Sequence, residues 1–378
     1  MAYKGSTYKK PVLLLFESTY RIMKQPHYYF LINSLEWGGA ERVTINSATK
    51  LLKEGTRVYI ITLKSCVFYD LPSWATHIAL SHVKNNFLMF LLIPRYVLQF
   101  KKVCKKYELT EGVSLLEIAN FVHILAKKHA TISFRTHVKA FTWFLWKIQV
   151  LLIKCLYPKA GRVVVNSLEN KYESSKILHI PLDKIDVVYN TIDVEECKRL
   201  SLEPLPEDIQ QKIAWKKMYV TTGRLIWERG FGNKHHDLII AALHEVYMTI
   251  EKNWVYFIIG DWPERERLET LVLSLGLQDH VLFLGMQKNV FKYLKHADAF
   301  LYASEVEWFP NVLVEAKEMW VPIITSDFTC GAKEVILWDY SESICKAISY
   351  PYRGKYWWLI QLWDYTRQFV SVYKSLYT

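Results

Sequence analysis

Short runs of β-branched and aromatic residues alternate along the chain with longer stretches whose apolar residues fall at helical spacing. The run YYFLINS at 28–34 predicts a buried strand, and GGAERVTINSATKLLKEG at 38–55 predicts the helix that follows. In that helix Val43, Ala48, Leu51 and Leu52 lie near a 3.6-residue repeat, and Gly55 supplies a stop. RVYIITL at 57–63 is the next strand. A strand, a helix and a strand in this order make a β-α-β unit, whose strands pair in parallel. Further strands are predicted at 130–135 (ATISFR), 162–167 (RVVVNS) and 186–190 (DVVYN). A second series opens with MYVTTGRL at 218–225 and continues through 254–261, 281–285, 299–304 and 321–327. Helical stretches at 235–250, 263–275, 289–296 and 311–319 lie between those strands. The polar segment SLEPLPEDIQQKIAWK at 201–216 carries two prolines and reads as an inter-domain link. The fold class expected is α/β, with two Rossmann-like parallel-sheet domains at 26–200 and 201–360 facing a central cleft, after an extension at 1–25. Ligands of such sheets bind outside the carboxyl ends of the strands.

Composition narrows the partners. A length of 378 residues suits two domains, and 51% hydrophobic residues supply two cores. A formal net charge of +11 favours an anionic partner: nucleic acid, acidic lipid or a phosphorylated substrate. No zinc finger, RNP motif or concentrated basic arm occurs, which argues against nucleic acid. The six cysteines form no C-x-x-C and read as reduced thiols of a cytoplasmic protein. The 12 histidines form no H-E-x-x-H or paired Cys/His spacing, so no metal site is expected. The start, MAYKGSTYKKPVLLLFESTYRIMK, has an apolar run broken by Glu17 and does not read as a signal peptide. NFLMFLLIPRYVLQF at 86–100 is too short to span a bilayer and contains Pro94 and Arg95. AFTWFLWKIQVLLIKCLY at 140–157 carries Lys147 and Lys154. It reads as a buried helix or, alternatively, as one lying on a membrane with its lysines at lipid phosphates.

Candidate chemistry gathers at the predicted strand ends. Gly38 and Gly39 follow the strand 28–34 and let backbone approach a ligand at a helix start. Arg135, Thr136 and His137 follow the strand 130–135, and a histidine can orient or transfer protons. GRLIWERGFG places Arg224 and Arg229 five apart, with forked donors matched to phosphate oxygens. In SEVEWFPNVLVE, Pro310 suits a helix's first turn, which puts Glu307 in the loop before it and Glu315 about one turn inside, with Asn311 at the start. Gly331 precedes another helix start. Arginines at such a place would hold a diphosphate, and a glutamate within reach of vicinal hydroxyls would hold a ribose. That describes a nucleotide-diphosphate site. With no G-x-G-x-x-G and no P-loop, NAD-type and ATPase readings lose support.

The ordered series GGAERV, VVVNS, VVYNTID, GRLIWERG, FIIGD, FLG, ADAFLYASEVEWFPNVLVEA and VPIITSD…GAKEVI resembles the family 4 retaining glycosyltransferases of two-Rossmann-domain (GT-B) architecture, from about residue 28 to 336. LLEIANFVHILAKKHATISFRTH further resembles the branch that extends lipid-linked or surface oligosaccharides. The resemblance implies a retaining, metal-independent transfer from a nucleotide-diphosphate sugar, with uridine diphosphate the prevalent carrier and no cofactor. The acceptor implied is a glycan or polyprenyl-linked saccharide, handled in the cytoplasm or peripherally on the inner face of an anionic membrane. It assigns Arg224 and Arg229 to the donor pyrophosphate, Glu315 to the ribose and Glu307 to the transferred sugar. Gly38 and Gly39 fall on the loop over the donor phosphate. Asn190 and Asp193 fall on the strand exit near the hinge, and Gly331 and Glu334 on the turn beside the diphosphate. His137, Asn120 and Glu117 are candidate acceptor-side residues. The stretch YTRQFVSVYKSLY, within 361–378, is expected to pack back on the N-terminal domain. Trp262, Trp308 and Trp320 stand where the family usually has glycine, which leaves a catalytically inactive binding homologue as the alternative.

Overall fold

The structure, a computed structural model, describes residues 27–36, 39–68, 71, 73–83, 85–134, 144–190, 192–223, 225, 234–261, 263–307, 309–328, 331–337, 349–353 and 357–377. They group into two units, with the boundary between Asn190 and Ile192 and with Ser167–Asn170 grouped with the second. Each unit is built on a seven-stranded sheet.

The first sheet contains β1 (His27–Ile32), β2 (Arg57–Thr62), β3 (Thr76–Ala79), β4 (Glu111–Leu115), β5 (Thr131–Ser133), β6 (Arg162–Val165) and β7 (Ile185–Val187). Its order is β3-β2-β1-β4-β5-β6-β7, parallel throughout. The two faces of β1 and β2 enter separate cores. Tyr29, Leu31, Tyr59 and Ile61 pack with Tyr96 and Phe100, whereas Tyr28, Phe30, Ile32, Val58 and Ile60 pack with Ala48 and Leu51. Burial on both faces is why these strands read as unbroken apolar runs rather than as an alternation.

The second sheet contains β8 (Lys217–Thr222), β9 (Trp254–Ile259), β10 (Val281–Gly285), β11 (Ala299–Tyr302), β12 (Ile323–Ser326), β13 (Tyr352–Arg353) and β14 (Trp357–Ile360). Its order is β10-β9-β8-β11-β12-β14-β13, parallel except for the antiparallel edge pair β13–β14. In both sheets the order reverses beside the first strand, between β1 and β4 and between β8 and β11. Open α/β sheets present their ligand site at the carboxyl ends flanking such a reversal.

The parallel α/β plan agrees with the sequence pattern, and one organisational expectation is corrected. The segment 201–216 is not a linker: it holds a helix, Glu207–Ile213, inside the second unit. The preceding helix Val194–Ser201 is tied in as well, because the Asn289 side-chain amide donates to the Leu200 carbonyl at 2.7 Å and to Glu203 Oε2 at 2.9 Å. The closing helix Tyr365–Tyr377 contributes to the second unit's core. Tyr365, Phe369, Val372 and Tyr373, at helical spacing, join Ile239, Leu243 and Val246 of the helix His236–Thr249 in one cluster. Tyr373 Oη accepts from Tyr219 of β8 at 3.0 Å and donates to Glu251 at 2.9 Å.

The two apolar stretches resolve into short helices. Residues 86–106 form Asn86–Leu91 and Ile93–Lys106, with Pro94 near the start of the second. Of 140–157, the helix Phe144–Leu156 is described; Ile153 is buried while Ile148 and Leu151 are exposed, so this helix is not wholly buried. Among the described residues no helix is long and apolar enough to cross a membrane.

Candidate active site

The second sheet's reversal point is assembled from the exits of β8 and β11. β8 ends at Thr222, and Gly223 follows; its N–H donates to the Ile259 carbonyl at 3.0 Å. The chain leaving β9 passes so close here that a Cβ on Gly260 would lie 1.8 Å from the Gly223 carbonyl oxygen. Only glycine fits that crossing, because any larger residue would push the two strand exits apart.

Glu307 sits in the loop after β11, as its distance from Pro310 predicts. Its Oε1 atom accepts three hydrogen bonds: from Lys234 Nζ, from the Tyr302 hydroxyl, and from Ser304 Oγ at 2.9 Å. Lys234 Nζ also donates to Tyr302 Oη at 2.7 Å and stands 5.1 Å from that ring's centroid. The partners are held in turn. Tyr302 stacks on Phe300 and meets Phe328 edge-on, and the Ser304 carbonyl accepts from Ser326 Oγ of β12 at 2.7 Å. Charge-assisted hydrogen bonds of this kind are roughly twice as strong as neutral ones, and the pair is nearly enclosed, with side chains 16% and 15% exposed. Lys234 and Tyr302 were not singled out in the sequence. Lys234 lies in the unpatterned stretch GNKHH, 73 positions from its partner, and Tyr302 reads as an ordinary strand residue.

The helix Asn311–Glu318 begins at Pro310 without a side-chain cap, so its first N–H groups keep no side-chain acceptor from the capping position. Asn311 is half-buried at its first position, and Glu315, in its second turn, is buried. Gly331, at φ +108°, precedes the helix Ala332–Leu337. A Cβ there would come within 3.0 Å of the Phe309 ring and 3.5 Å of Pro310 Cδ. Glycine thus lets the starts of the two helices lie together, which brings Glu307, Asn311, Glu315 and Gly331 into one region of the second unit. Lys317, also buried, donates to the Val335 carbonyl and lies 4.8 Å from the Trp357 ring centroid. Burial pushes its ammonium down to about 6.

Other predicted residues have different fates. Arg224, Arg229, His137, Gly38, Trp262 and Trp308 lie outside the described residues. Gly39 opens the exposed start of the helix Gly39–Lys53, and Asn190 is half-buried just past β7, both in the first unit. Asp193 caps a helix, accepting from the Glu196 N–H at 3.1 Å. Glu334 is buried with its carboxylate on the backbone N–H groups of Leu168 (2.9 Å) and Glu169 (3.1 Å). Those bonds make it a structural anchor. Asn120 is no acceptor contact. It is buried, its Oδ1 accepts from Ser114 Oγ at 2.7 Å, and its Nδ2 donates to the Ser133 carbonyl and Tyr157 Oη, both at 2.9 Å. Trp320 does adopt the glycine-like conformation, at φ +60°, but its indole is 78% exposed and fills no pocket.

Two family descriptions match the chain. Glycosyltransferase Family 4 matches residues 37–196, most of the first unit, and Glycosyl transferases group 1 matches residues 209–347, which include β8 to β12. The chain is 29% identical to the N-acetylgalactosamine-N,N'-diacetylbacillosaminyl-diphospho-undecaprenol 4-alpha-N-acetylgalactosaminyltransferase of Campylobacter jejuni, over 80% of this chain and 81% of that protein. Among solved structures, the lipopolysaccharide outer core galactosyltransferase WaaB superposes with a TM-score of 0.64 at 19% identity, covering 93% of this chain and 91% of that one. Anabaena HepE in complex with UDP-glucose superposes with a TM-score of 0.64 at 16% identity, covering 93% and 90%. The chain therefore belongs to the group 1, family 4 glycosyltransferases and has their two-domain GT-B fold.

Proposed function

We propose that the protein transfers a sugar, with retention at the anomeric carbon, from a nucleotide-diphosphate donor to a glycan or lipid-linked saccharide. The observation that carries this reading is the Glu307 carboxylate, held at the carboxyl end of β11 beside the start of the helix Asn311–Glu318. Glu307 faces the transferred sugar, and Glu315, one turn into that helix, takes the ribose hydroxyls. Arg224 and Arg229 hold the diphosphate. As the glycosidic bond breaks, charge gathers on the leaving diphosphate, and these fixed cations with helix N–H groups stabilise it without a metal ion being required. The lipid-linked acceptor named for the Campylobacter relative supports the same acceptor class here, and the basic net charge of +11 suits an anionic membrane surface as the place of work. Uridine diphosphate is the carrier favoured by family prevalence and by the ligand of HepE.

Screening sugar nucleotides for donor hydrolysis and for transfer tests the proposal. Arg224→Ala is expected to lower turnover at least about a hundredfold with the fold intact, the effect of losing one donor worth about 3 kcal/mol at the developing charge. Near wild-type turnover in that variant would remove the diphosphate from Arg224.

A further inference from the structure

Glu307 has one oxygen occupied and one open. Oε1 receives Lys234, Tyr302 and Ser304. A carboxylate oxygen offers about two lone-pair directions, so three donors saturate it. Oε2 accepts no hydrogen bond from the described residues, although the side chain is only 15% exposed. The clamp cannot readily turn over. Lys234 is anchored a second time on Tyr302 Oη, and Ser304 is anchored through its carbonyl on Ser326. The remaining acceptor therefore has a fixed direction, and Lys234 offsets the carboxylate's charge.

We propose that Lys234 and Tyr302 are positioning residues that turn Glu307 Oε2 toward a hydroxyl of the transferred sugar, selecting neutral hexoses and N-acetylhexosamines over uronic acids. The proposal rests on the reading of Glu307 as the residue facing that sugar. A hydroxyl can donate to Oε2. A uronate presents a second carboxylate with no proton to give, and the approach of like charges in a nearly enclosed site is opposed. The only cation bonded to Glu307 among the described residues is already taken up by Oε1 and Tyr302, so it is poorly placed to receive the uronate instead.

The test is calorimetric binding of UDP, UDP-glucose, UDP-N-acetylglucosamine and UDP-glucuronic acid to the full chain, with kcat and KM measured for the donors that turn over. The readout is the ratio of each conjugate's affinity to that of UDP, in which general damage to the unit cancels. Wild type is expected to bind UDP-glucose or UDP-N-acetylglucosamine more tightly than UDP, and UDP-glucuronic acid no more tightly. Lys234→Ala should cut the favourable ratio about tenfold and raise KM more than it lowers kcat, as loss of one charge-assisted hydrogen bond would. Lys234→Arg should restore most of it, and Tyr302→Phe should fall between. A ratio unchanged in Lys234→Ala, no rescue by arginine, or wild-type preference for the glucuronate each overturns the proposal. Failure of wild type to bind UDP at all is a separate result: it defeats the donor reading beneath the proposal, and the proposal with it.

Discussion

The two units share a strand order over their first five strands but treat their polar interiors in opposite ways. In the first, Tyr29, His123, Ser114, Asn120 and Tyr157 form an unbroken buried chain. The Tyr29 hydroxyl meets His123 Nε2 at 2.8 Å, His123 Nδ1 meets Ser114 Oγ at 3.0 Å, and Ser114 passes the chain to Asn120. In the second, the group around Glu307 saturates one carboxylate oxygen, and nearby His236 is buried with neither ring nitrogen partnered among the described residues. A buried network bonded in this way contributes rigidity, because its hydrogen bonds are made within the fold. An open one costs stability, and such costs collect where chemistry is done. The same sheet plan thus carries a structural network in one unit and the proposed site in the other.

Removing one member of the buried chain should have the largest effect on stability. Asn120→Leu leaves Ser114, the Ser133 carbonyl and Tyr157 short of a partner and is expected to cost about 3 kcal/mol, read as a lower thermal midpoint. A loss within a few tenths would mean that these bonds contribute little to the unit's stability.

The open side should respond in the opposite sense. His236→Leu removes an unsatisfied group and is expected to stabilise the protein by about 1 kcal/mol at neutral pH. Burial holds the imidazoles of His123 and His236 down to about 3, below the ordinary 6.5. The unfolded chain therefore binds more protons below about pH 6.5, and stability falls as pH drops from there toward 3. His236→Leu should make that acid slope shallower, which urea titrations at several pH values would measure. An unchanged slope would exclude His236 from the acid response. The smallest effect expected is that of Trp320→Gly, which relieves an L-residue at φ +60° and should add up to about 1 kcal/mol without changing donor binding. If donor binding changed, the exposed indole would have a role that its position does not suggest.

How far the molecule could be read from its sequence follows the same division. β1, β2, β8 and β9 were plain because both their faces are buried. β4 was not, since its Gly112 lies opposite Tyr29, where a Cβ would stand 2.5 Å from the Tyr29 ring. That glycine makes room for a neighbour that the local pattern does not reveal. β3 is a half-exposed edge, and β13 is too short to carry a period. The closing helix shows an apolar stripe that says it packs but not that it joins the core with the helix His236–Thr249. Glu307 and Glu315 were legible from Pro310 between them. Lys234 was not, because a long side chain reaches its partner through space with no constraint on spacing. Glu334 and Asn120 have the right residue types for a site, and the sequence does not reveal the hydrogen bonds they make to the fold.

The central claim is that the open carboxylate of the second unit receives the donor sugar. A crystal structure of the protein with a bound nucleotide sugar tests it most directly. The account predicts Glu307 Oε2 within about 3 Å of a hydroxyl of the transferred sugar, with Lys234 and Tyr302 still on Oε1. A donor sugar seated away from Glu307, with Oε2 still open, would contradict it.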